Sequence, residues 1–273
     1  MIQDLGDKKL YNEFEEIEAG ERDNVFCFDG DKILIAKCAD GTLIVPKATD
    51  FAGHKMQYLF RINEERYFLI LEKVEKPEQY EWESTRNLRK FEWKELAFAA
   101  ATAYHLYQWY RDNQFCGRCG EKLEHAHAER MLKCQSCGNM VFPKIAPAVI
   151  VGVLNGSKIL LTKYNGRVYK KYALIAGFTE IGETAEETVA REVMEEVGLK
   201  VKNIRYYKSQ PWGTDCNLLL GFFCDLDGDD TITMDEEELS TAEWFERDEM
   251  PVDDDGFSLT REMMSVFKRG VIK

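Results

Sequence analysis

Four cysteines in two knuckles constrain this chain more than any other feature. Cys116-Gly-Arg-Cys119 and Cys134-Gln-Ser-Cys137 are separated by fourteen residues. Each C-x-x-C lets two thiolates converge on one ion, and a glycine directly after each second cysteine, Gly120 and Gly138, permits the tight turn that closes the knuckle. Four thiolates make the closed tetrahedral set of a structural zinc site, so residues 114–142 are expected to form a zinc ribbon. His125 and His127 lie between the knuckles, but the thiolates already fill the coordination sphere. The ribbon places Arg118, Lys122, Arg130 and Lys133 against Glu121, Glu124 and Glu129, which is no basic patch. A structural spacer between two domains is therefore expected rather than a nucleic-acid reader.

The ribbon divides the 273 residues into a segment before it, 1–113, and a segment after it, 143–273. A formal net charge of −13 argues against a protein that coats nucleic acid electrostatically. It leaves room for binding a single nucleotide, with divalent metal neutralising charge locally. No apolar run approaches the ~18 residues of a membrane span. The acidic start, MIQDLGDKKLYNEFEE, has no signal-peptide core, so a cytoplasmic protein is expected. In a reducing compartment Cys27, Cys38, Cys216 and Cys224 are read as buried or idle thiols.

The first segment begins with alternation like that of an antiparallel sheet. Val25–Phe28 and Ile33–Ala36 flank Asp29-Gly30-Asp31-Lys32, a hairpin signal, and Met56–Ile62 and Tyr67–Leu71 flank the polar Asn63-Glu64-Glu65-Arg66. Phe91–Tyr110 is Ala-rich without Gly or Pro and predicts a long helix. His105 inside it reads as a core or interface histidine. After the ribbon come an apolar run, Ala148–Leu154, a turn at Asn155-Gly156, a strand at Lys158–Leu161, an acidic helix, strands at Ile204–Tyr207 and Leu218–Leu226, and a helix around Leu259–Lys268. The acidic runs Asp225–Asp230 and Asp253–Asp255 read as solvated loops.

The acidic helix carries the chemistry. Thr184 can cap it, with Glu187 three residues on as the reciprocal partner, and Gly198 ends it. Ala185, Val189, Val193 and Val197 make an apolar stripe. Glu192, Glu195 and Glu196, at i, i+3 and i+4, crowd three like charges that repel by a few tenths of a kcal/mol per pair, roughly. A hard divalent cation, Mg²⁺ or Mn²⁺, would compensate them. On spacing alone, a solvent-facing acidic helix explains the pattern equally well.

The residue string decides between them. Gly177-x5-Glu183-x7-Arg191-Glu192-Val-Met-Glu195-Glu196-Val-Gly198-Leu199 resembles the Nudix box at every defined position over 23 residues. The resemblance implies an α/β (α+β) fold: a Nudix α/β/α sandwich, preceded here by the zinc ribbon and a β-rich N-terminal domain. It further implies divalent metals on Glu192, Glu195 and Glu196, a supporting ion pair between Arg191 and Glu183, and a backbone at Gly177 that passes close to the metals. A further carboxylate from outside the box can serve as base or ligand. Glu238, in Asp235-Glu-Glu-Glu-Leu-Ser, is the candidate, with Glu236 and Glu237 as neighbouring alternatives.

A β-rich domain, a four-cysteine ribbon running into Phe142-Pro-Lys-Ile-Ala-Pro, and Ser209-Gln210-Pro211-Trp212 after the box together resemble the NADH pyrophosphatase subfamily. That resemblance implies hydrolysis of NADH or NAD⁺ to nicotinamide mononucleotide and AMP, removal of NAD caps from the 5′ end of RNA, and a homodimer. Ser209, Gln210, Trp212 and Phe178 become substrate-binding candidates. Phe178 could equally be core, and Trp212 could cap the sheet. Lys163, Arg167, Lys170 and Lys171 precede the box, where phosphate contacts or plain solvation both fit. One departure stands out: Gly213-Thr214-Asp215-Cys216-Asn217 replaces the subfamily's P-F-P-x-S half. This motivates an alternative substrate such as ADP-ribose. An adaptor that keeps the Nudix domain only as a scaffold is the reading of another class.

Overall fold

The computed structural model describes residues 1–38, 42–91, 93–166, 171–251 and 255–272. Two compact units emerge. One contains Ile145–Pro211 and the chain from Asn217 onward, together with Met1; the other contains Ile2–Lys144 and Trp212–Cys216. The ribbon thus belongs to the same unit as the N-terminal segment.

That unit opens with β1 (Leu10–Tyr11), β2 (Asn24–Asp29), β3 (Lys32–Lys37), β4 (Leu43–Ile44), β5 (Met56–Ile62), β6 (Glu65–Ile70) and β7 (Glu81–Ser84). The two expected hairpins, β2–β3 and β5–β6, are antiparallel. They join edge to edge through a parallel pairing of β2 with β6, Val25 opposite Phe68 and Cys27 opposite Ile70. A long helix, α1 (Lys94–Asp112), follows. It starts three residues later than its composition suggests. Thr85–Lys90 forms a 3₁₀ helix that stops at Phe91, whose extended backbone (φ −69°, ψ 120°) closes that turn instead of opening α1. The aromatic content of α1 goes into packing: Phe28 lies 5.2 Å from Tyr104 and 5.0 Å from Tyr107, centroid to centroid. His105 is half-buried on α1, and its Nε2 donates to the Lys144 carbonyl at 2.8 Å.

The ribbon is a three-stranded antiparallel sheet, β8 (Leu123–His125), β9 (Leu132–Cys134) and β10 (Met140–Val141). Arg130 pins it to the N-terminal sheet by donating to Asn12 Oδ1 at 2.9 Å and to the Leu59 carbonyl.

In the other unit, β11 (Ala146–Asn155) and β12 (Lys158–Tyr164) precede β13 (Ile175–Phe178), then α2 (Ala185–Val197), β14 (Val201–Trp212, all but its last residue in this unit), β15 (Asn217–Leu226), β16 (Leu239–Glu246) and α3 (Leu259–Lys268). The sheet runs β14-β15-β11-β12-β16, with β13 also paired to β11. β11 pairs in parallel with β15 and antiparallel with β12 and β13. Strand alternation sends Val149, Val151 and Val153 to one face, where they meet Val189, Val193 and Val197 of α2. Ile150 and Leu154 go to the other face, against Leu259, Met263, Met264 and Phe267 of α3. Helices therefore cover both faces, giving the α/β/α sandwich. Each fully buried aliphatic side chain contributes roughly 1.5–3 kcal/mol. Gly152 shares the α3 face because any Cβ there would stand 2.7 Å from the Phe223 ring.

Cys27 and Cys224 are buried, and burial pushes both thiols up to about 12. Among the described residues, no helix is long and apolar enough to cross a membrane.

Candidate active site and metal centres

The knuckles bring their sulfurs together. Among the described residues, Cys116, Cys119, Cys134 and Cys137 form the one group of metal-ligand type whose donor atoms all lie within 4.8 Å of one another. Cys116 Sγ is 3.6 Å from Cys137 Sγ, and Cys119 Sγ is 3.4 Å from Cys134 Sγ. Those gaps are near the roughly 3.8 Å edge of a tetrahedron with Zn–S bonds of about 2.3 Å. All four cysteines are free thiols. The backbone supports the knuckles symmetrically: Gly120 N–H donates to the Cys116 carbonyl and Gly138 N–H to the Cys134 carbonyl. Both glycines sit at positive φ, +80° and +71°. The Arg118 amide donates to Cys116 Sγ and is the first cause that holds this thiol down to about 6. The donor set fits zinc. His125 and His127 turn elsewhere, to Gln57 Oε1 at 3.1 Å and Glu16 Oε1 at 2.8 Å.

The second centre is built on α2. Thr184 Oγ1 accepts from Glu187 N–H at 3.2 Å, and Glu187 Oε2 accepts from Thr184 N–H at 2.8 Å, so the expected capping box forms. Gly198 closes the helix in the left-handed conformation, φ +71°. Between these caps, Glu192 and Glu196 are buried, 9% and 1% exposed, while the Glu195 side chain is 58% exposed. The three carboxylates thus divide between a buried pair one turn apart and an outer member.

Arg191 ties Glu192 and Glu195 to Glu183 and to the end of β13, using all five of its donors. Nε and Nη2 grip Glu183 at 2.6 and 3.0 Å. Nη2 also donates to the Phe178 carbonyl at 2.9 Å. Nη1 donates to Glu192 Oε1 and to Glu195 Oε2, each at 2.8 Å. The guanidinium beside Glu183 is the main cause that holds this carboxyl down to about 2. Thr188 Oγ1 and the Glu180 amide add donors to Glu183 Oε2. These supporting partners carry no signal in the sequence, since a threonine inside a helix and a loop amide are ordinary features.

Glu192 behaves differently. Burial raises its carboxyl above the ordinary range despite Arg191, and the charges of Glu195 and Glu238 push the same way. A cation at this carboxylate would offset that desolvation. Gly177 keeps the room: a Cβ there would lie 1.9 Å from Glu192 Cδ. Carboxylate oxygens are the hard donor type that suits Mg²⁺ or Mn²⁺, but among the described residues those of α2 do not gather within 4.8 Å of one another as the four sulfurs do. Glu238 is anchored through its carbonyl, which accepts from Asn165 N–H at 2.7 Å. Glu236 accepts from the Asn165 side chain at 3.2 Å, also through its carbonyl.

The substrate-contact candidates separate. Phe178 ends β13 opposite Ala148 and is 55% exposed, so it is not core. Ser209 is half-buried on β14. Gln210 is fully buried, and its amide is engaged inside the protein: Nε2 donates to the Phe257 carbonyl at 2.9 Å and Oε1 accepts from Leu259 N–H at 2.7 Å. In this structure it brackets the start of α3 instead of facing a ligand. Trp212 lies in the unit that holds the ribbon, donating from Nε1 to Asp215 Oδ2 at 2.6 Å with Arg89 5.8 Å from its ring centroid. The replaced segment docks there too. Gly213–Asp215 forms a 3₁₀ turn on α1, and a Cβ at Gly213 would stand 2.1 Å from the Ala101 carbonyl oxygen. Lys163 lies over the Tyr172 ring at 4.0 Å, and Lys171 is exposed. Arg167, Lys170 and Asp253–Asp254 fall outside the described residues.

Comparison with known proteins matches two segments of the chain. Residues 144–267 match the NUDIX domain family, and residues 111–142 match the NADH pyrophosphatase zinc ribbon domain. The chain is similar to the NAD-capped RNA hydrolase NudC of Erwinia tasmaniensis, 41% identical over 153 residues, covering 56% of this chain and 58% of that protein. The NudC of Pectobacterium atrosepticum is 41% identical over 152 residues, again 56% of this chain and 58% of that protein. With these two relatives the match thus spans less than two thirds of their length. With the NAD-capped RNA hydrolase NudC of Actinobacillus succinogenes the match is 40% over 197 residues, covering 69% of this chain and 74% of that protein. On that likeness and both matched domains, the chain belongs to the NADH pyrophosphatase (NudC) family of Nudix hydrolases.

Proposed function

We propose that this protein hydrolyses the diphosphate bond of NADH or NAD⁺, giving nicotinamide mononucleotide and AMP, and removes NAD caps from the 5′ end of RNA. The observation that carries the reading is the buried pair Glu192 and Glu196 beside the five-donor Arg191 hub, on a helix whose box is intact. In this reading Glu192, Glu195 and Glu196, with Glu238, hold Mg²⁺ or Mn²⁺. Bound there, the cations supply polarisation of the diphosphate and a lowered pKa for the attacking water. Arg191 and Glu183 position the carboxylates, and Arg191 also fixes the strand end that bears Phe178. The exposed Phe178 ring offers a face for a base or the nicotinamide. Ser209 and Trp212 remain candidate contacts. The reading treats 1–113, 114–142 and 143–273 as functional segments of a cytoplasmic homodimer. Free cysteines support the compartment, and the exposed Phe115, Met140 and Phe142 of the ribbon region support self-association.

One observation favours a second reading within the same chemistry. The segment that replaces the subfamily's recognition half packs on α1 through Gly213, and the altered residues make ADP-ribose the alternative substrate. Product analysis of NADH incubated with protein and Mn²⁺, beside the Glu195→Gln variant, tests the proposal. Nicotinamide mononucleotide and AMP from wild type alone are expected. Intact NADH with rapid ADP-ribose cleavage sinks the first reading in favour of the second. Activity unaffected by Glu195→Gln would favour an adaptor with an incidental background hydrolase.

A further inference from the structure

The unit that holds the ribbon contains a cavity of about 730 Å³, a volume suited to a small organic ligand. Its wall is drawn from the end of α1, the start of β5, the ribbon hairpin and residues 14–17. His125, one of the two histidines the zinc set leaves out, lies flat on Tyr110 in that wall, with centroids 5.0 Å apart and planes at 8°. One face of the imidazole is thereby covered. The residue as a whole remains exposed, and it lines the cavity. The ring cannot spin freely. Gln57 donates from Nε2 to the Tyr58 carbonyl, which turns its Oε1 toward His125 Nδ1 at 3.1 Å. An amide oxygen only accepts, so Nδ1 carries the proton. Burial and the nearby Lys55 hold the imidazole below its ordinary range, so at neutral pH it is an uncharged aromatic shelf.

The chemistry around the shelf selects the ligand. Four carboxylates, Glu15, Glu16, Glu72 and Glu124, and three cations, Lys55, Arg111 and Lys122, line the cavity, with Glu16 paired to His127 and Glu72 to His54. Arg111 is already paired with Asp112, which lies outside this wall. With those pairs set aside, the wall is mixed in charge, Glu15 and Glu124 standing with Lys55 and Lys122. Its acceptors, including the side-chain oxygen of Gln114, whose nitrogen donates to the Arg111 carbonyl, suit a planar ring with amino donors at its edge. A flat neutral ring that stacks, with acceptors at the rim, matches how proteins hold single bases.

We propose that this cavity is a nucleobase site, in which a base bearing an exocyclic amino group, as in an adenosine nucleotide, stacks on the free face of His125. The site is separate from the carboxylates of α2 and does not depend on what they hydrolyse. A free nucleotide and a base within single-stranded RNA present the same chemistry.

The test is proton NMR of the full zinc-loaded chain, whose four histidines give separable ring signals. His125→Phe, which keeps an aromatic shelf, assigns the His125 signal by its disappearance. AMP, IMP and oligoadenylate are titrated in turn, all in the Glu195→Gln background so that cleavage does not intervene. Expected is an upfield ring-current shift of the His125 signal with AMP and binding roughly fivefold tighter than IMP, which lacks the amino group, the worth of about one neutral hydrogen bond. His125→Phe retains AMP binding by equilibrium dialysis, whereas His125→Ser with full zinc content loses it. Oligoadenylate binding more tightly than AMP identifies RNA as the source, and the reverse order identifies free nucleotide. An unmoved His125 signal, equal affinity for AMP and IMP, or undiminished binding in His125→Ser overturns the proposal.

Discussion

Gly177 and Glu192 share a space that admits only one of a methyl group and a carboxylate: a Cβ on Gly177 would lie 1.9 Å from Glu192 Cδ. The strand end of β13 and the buried side of α2 are therefore mutually dependent. Gly177→Ala forces the carboxylate aside, and over-packing of this kind costs about 1–3 kcal/mol. The expected outcome is a lowered unfolding midpoint together with weaker Mn²⁺ binding, read by calorimetry. Unchanged Mn²⁺ affinity in a folded Gly177→Ala protein would separate Glu192 from the cation site.

The grip of Arg191 on Glu183 has a pH signature. Glu183 is held down to about 2 from an ordinary value of 4.5, so its stabilising contribution is fully present above the unfolded value and is lost as pH falls from 4.5 through 2. Acid titration of stability for wild type and Glu183→Gln should show a gap at pH 6 that narrows across that window. A gap that stays constant down to pH 2 would assign the loss to packing.

The zinc site and the proposed carboxylate metal site should separate by experiment. Stripping zinc from the four thiolates removes a cross-link between the two knuckle segments, and the unit containing the ribbon is expected to lose cooperative unfolding. Withholding Mg²⁺ or Mn²⁺ should stop turnover while circular dichroism and melting stay close to those of the loaded protein. Equal structural loss in both treatments contradicts the assignment of roles.

Gly213 offers a test of the replaced segment. Its missing side chain is what lets the turn close on α1 at the Ala101 carbonyl. Gly213→Val should destabilise the unit containing the ribbon by more than 1 kcal/mol, on the order of other over-packing changes. It should also alter the ratio of NADH to ADP-ribose turnover if this segment sets preference. A changed melting point with an unchanged ratio would make the segment purely structural.

Where sequence and structure agree, the information was local. Both caps of α2 follow from Thr184, Glu187 and Gly198 within the helix itself, and α3 spans Leu259–Lys268 as its pattern predicts. The thiolate set follows from the knuckle spacing. What escaped depends on distant chain. The parallel joint between β2 and β6 is decided by how two hairpins approach, which no periodicity encodes. The start of α1 was hidden because Phe91 looks helical in composition while the preceding 3₁₀ turn claims it. Gln210 sits beside Trp212 in a motif associated with substrate, yet its amide is committed to Phe257 and Leu259, nearly fifty residues ahead. The split of Glu192 and Glu196 from Glu195 in exposure follows from where the sheet lies, which spacing alone does not fix.

β11 has one further consequence. Odd-numbered residues from Val149 to Val153 touch the helix that carries the carboxylates, and even-numbered Ile150 and Leu154 touch the other. The strand is a partition with a chemical tenant on one side and a structural one on the other. Variation along it is accordingly sorted by parity: drift at 149, 151 and 153 is transmitted to the helix that carries Glu192 and Glu196, whereas drift at 150 and 154 can be absorbed by repacking α3, whose buried Met263 and Met264 are the flexible fillers suited to that accommodation.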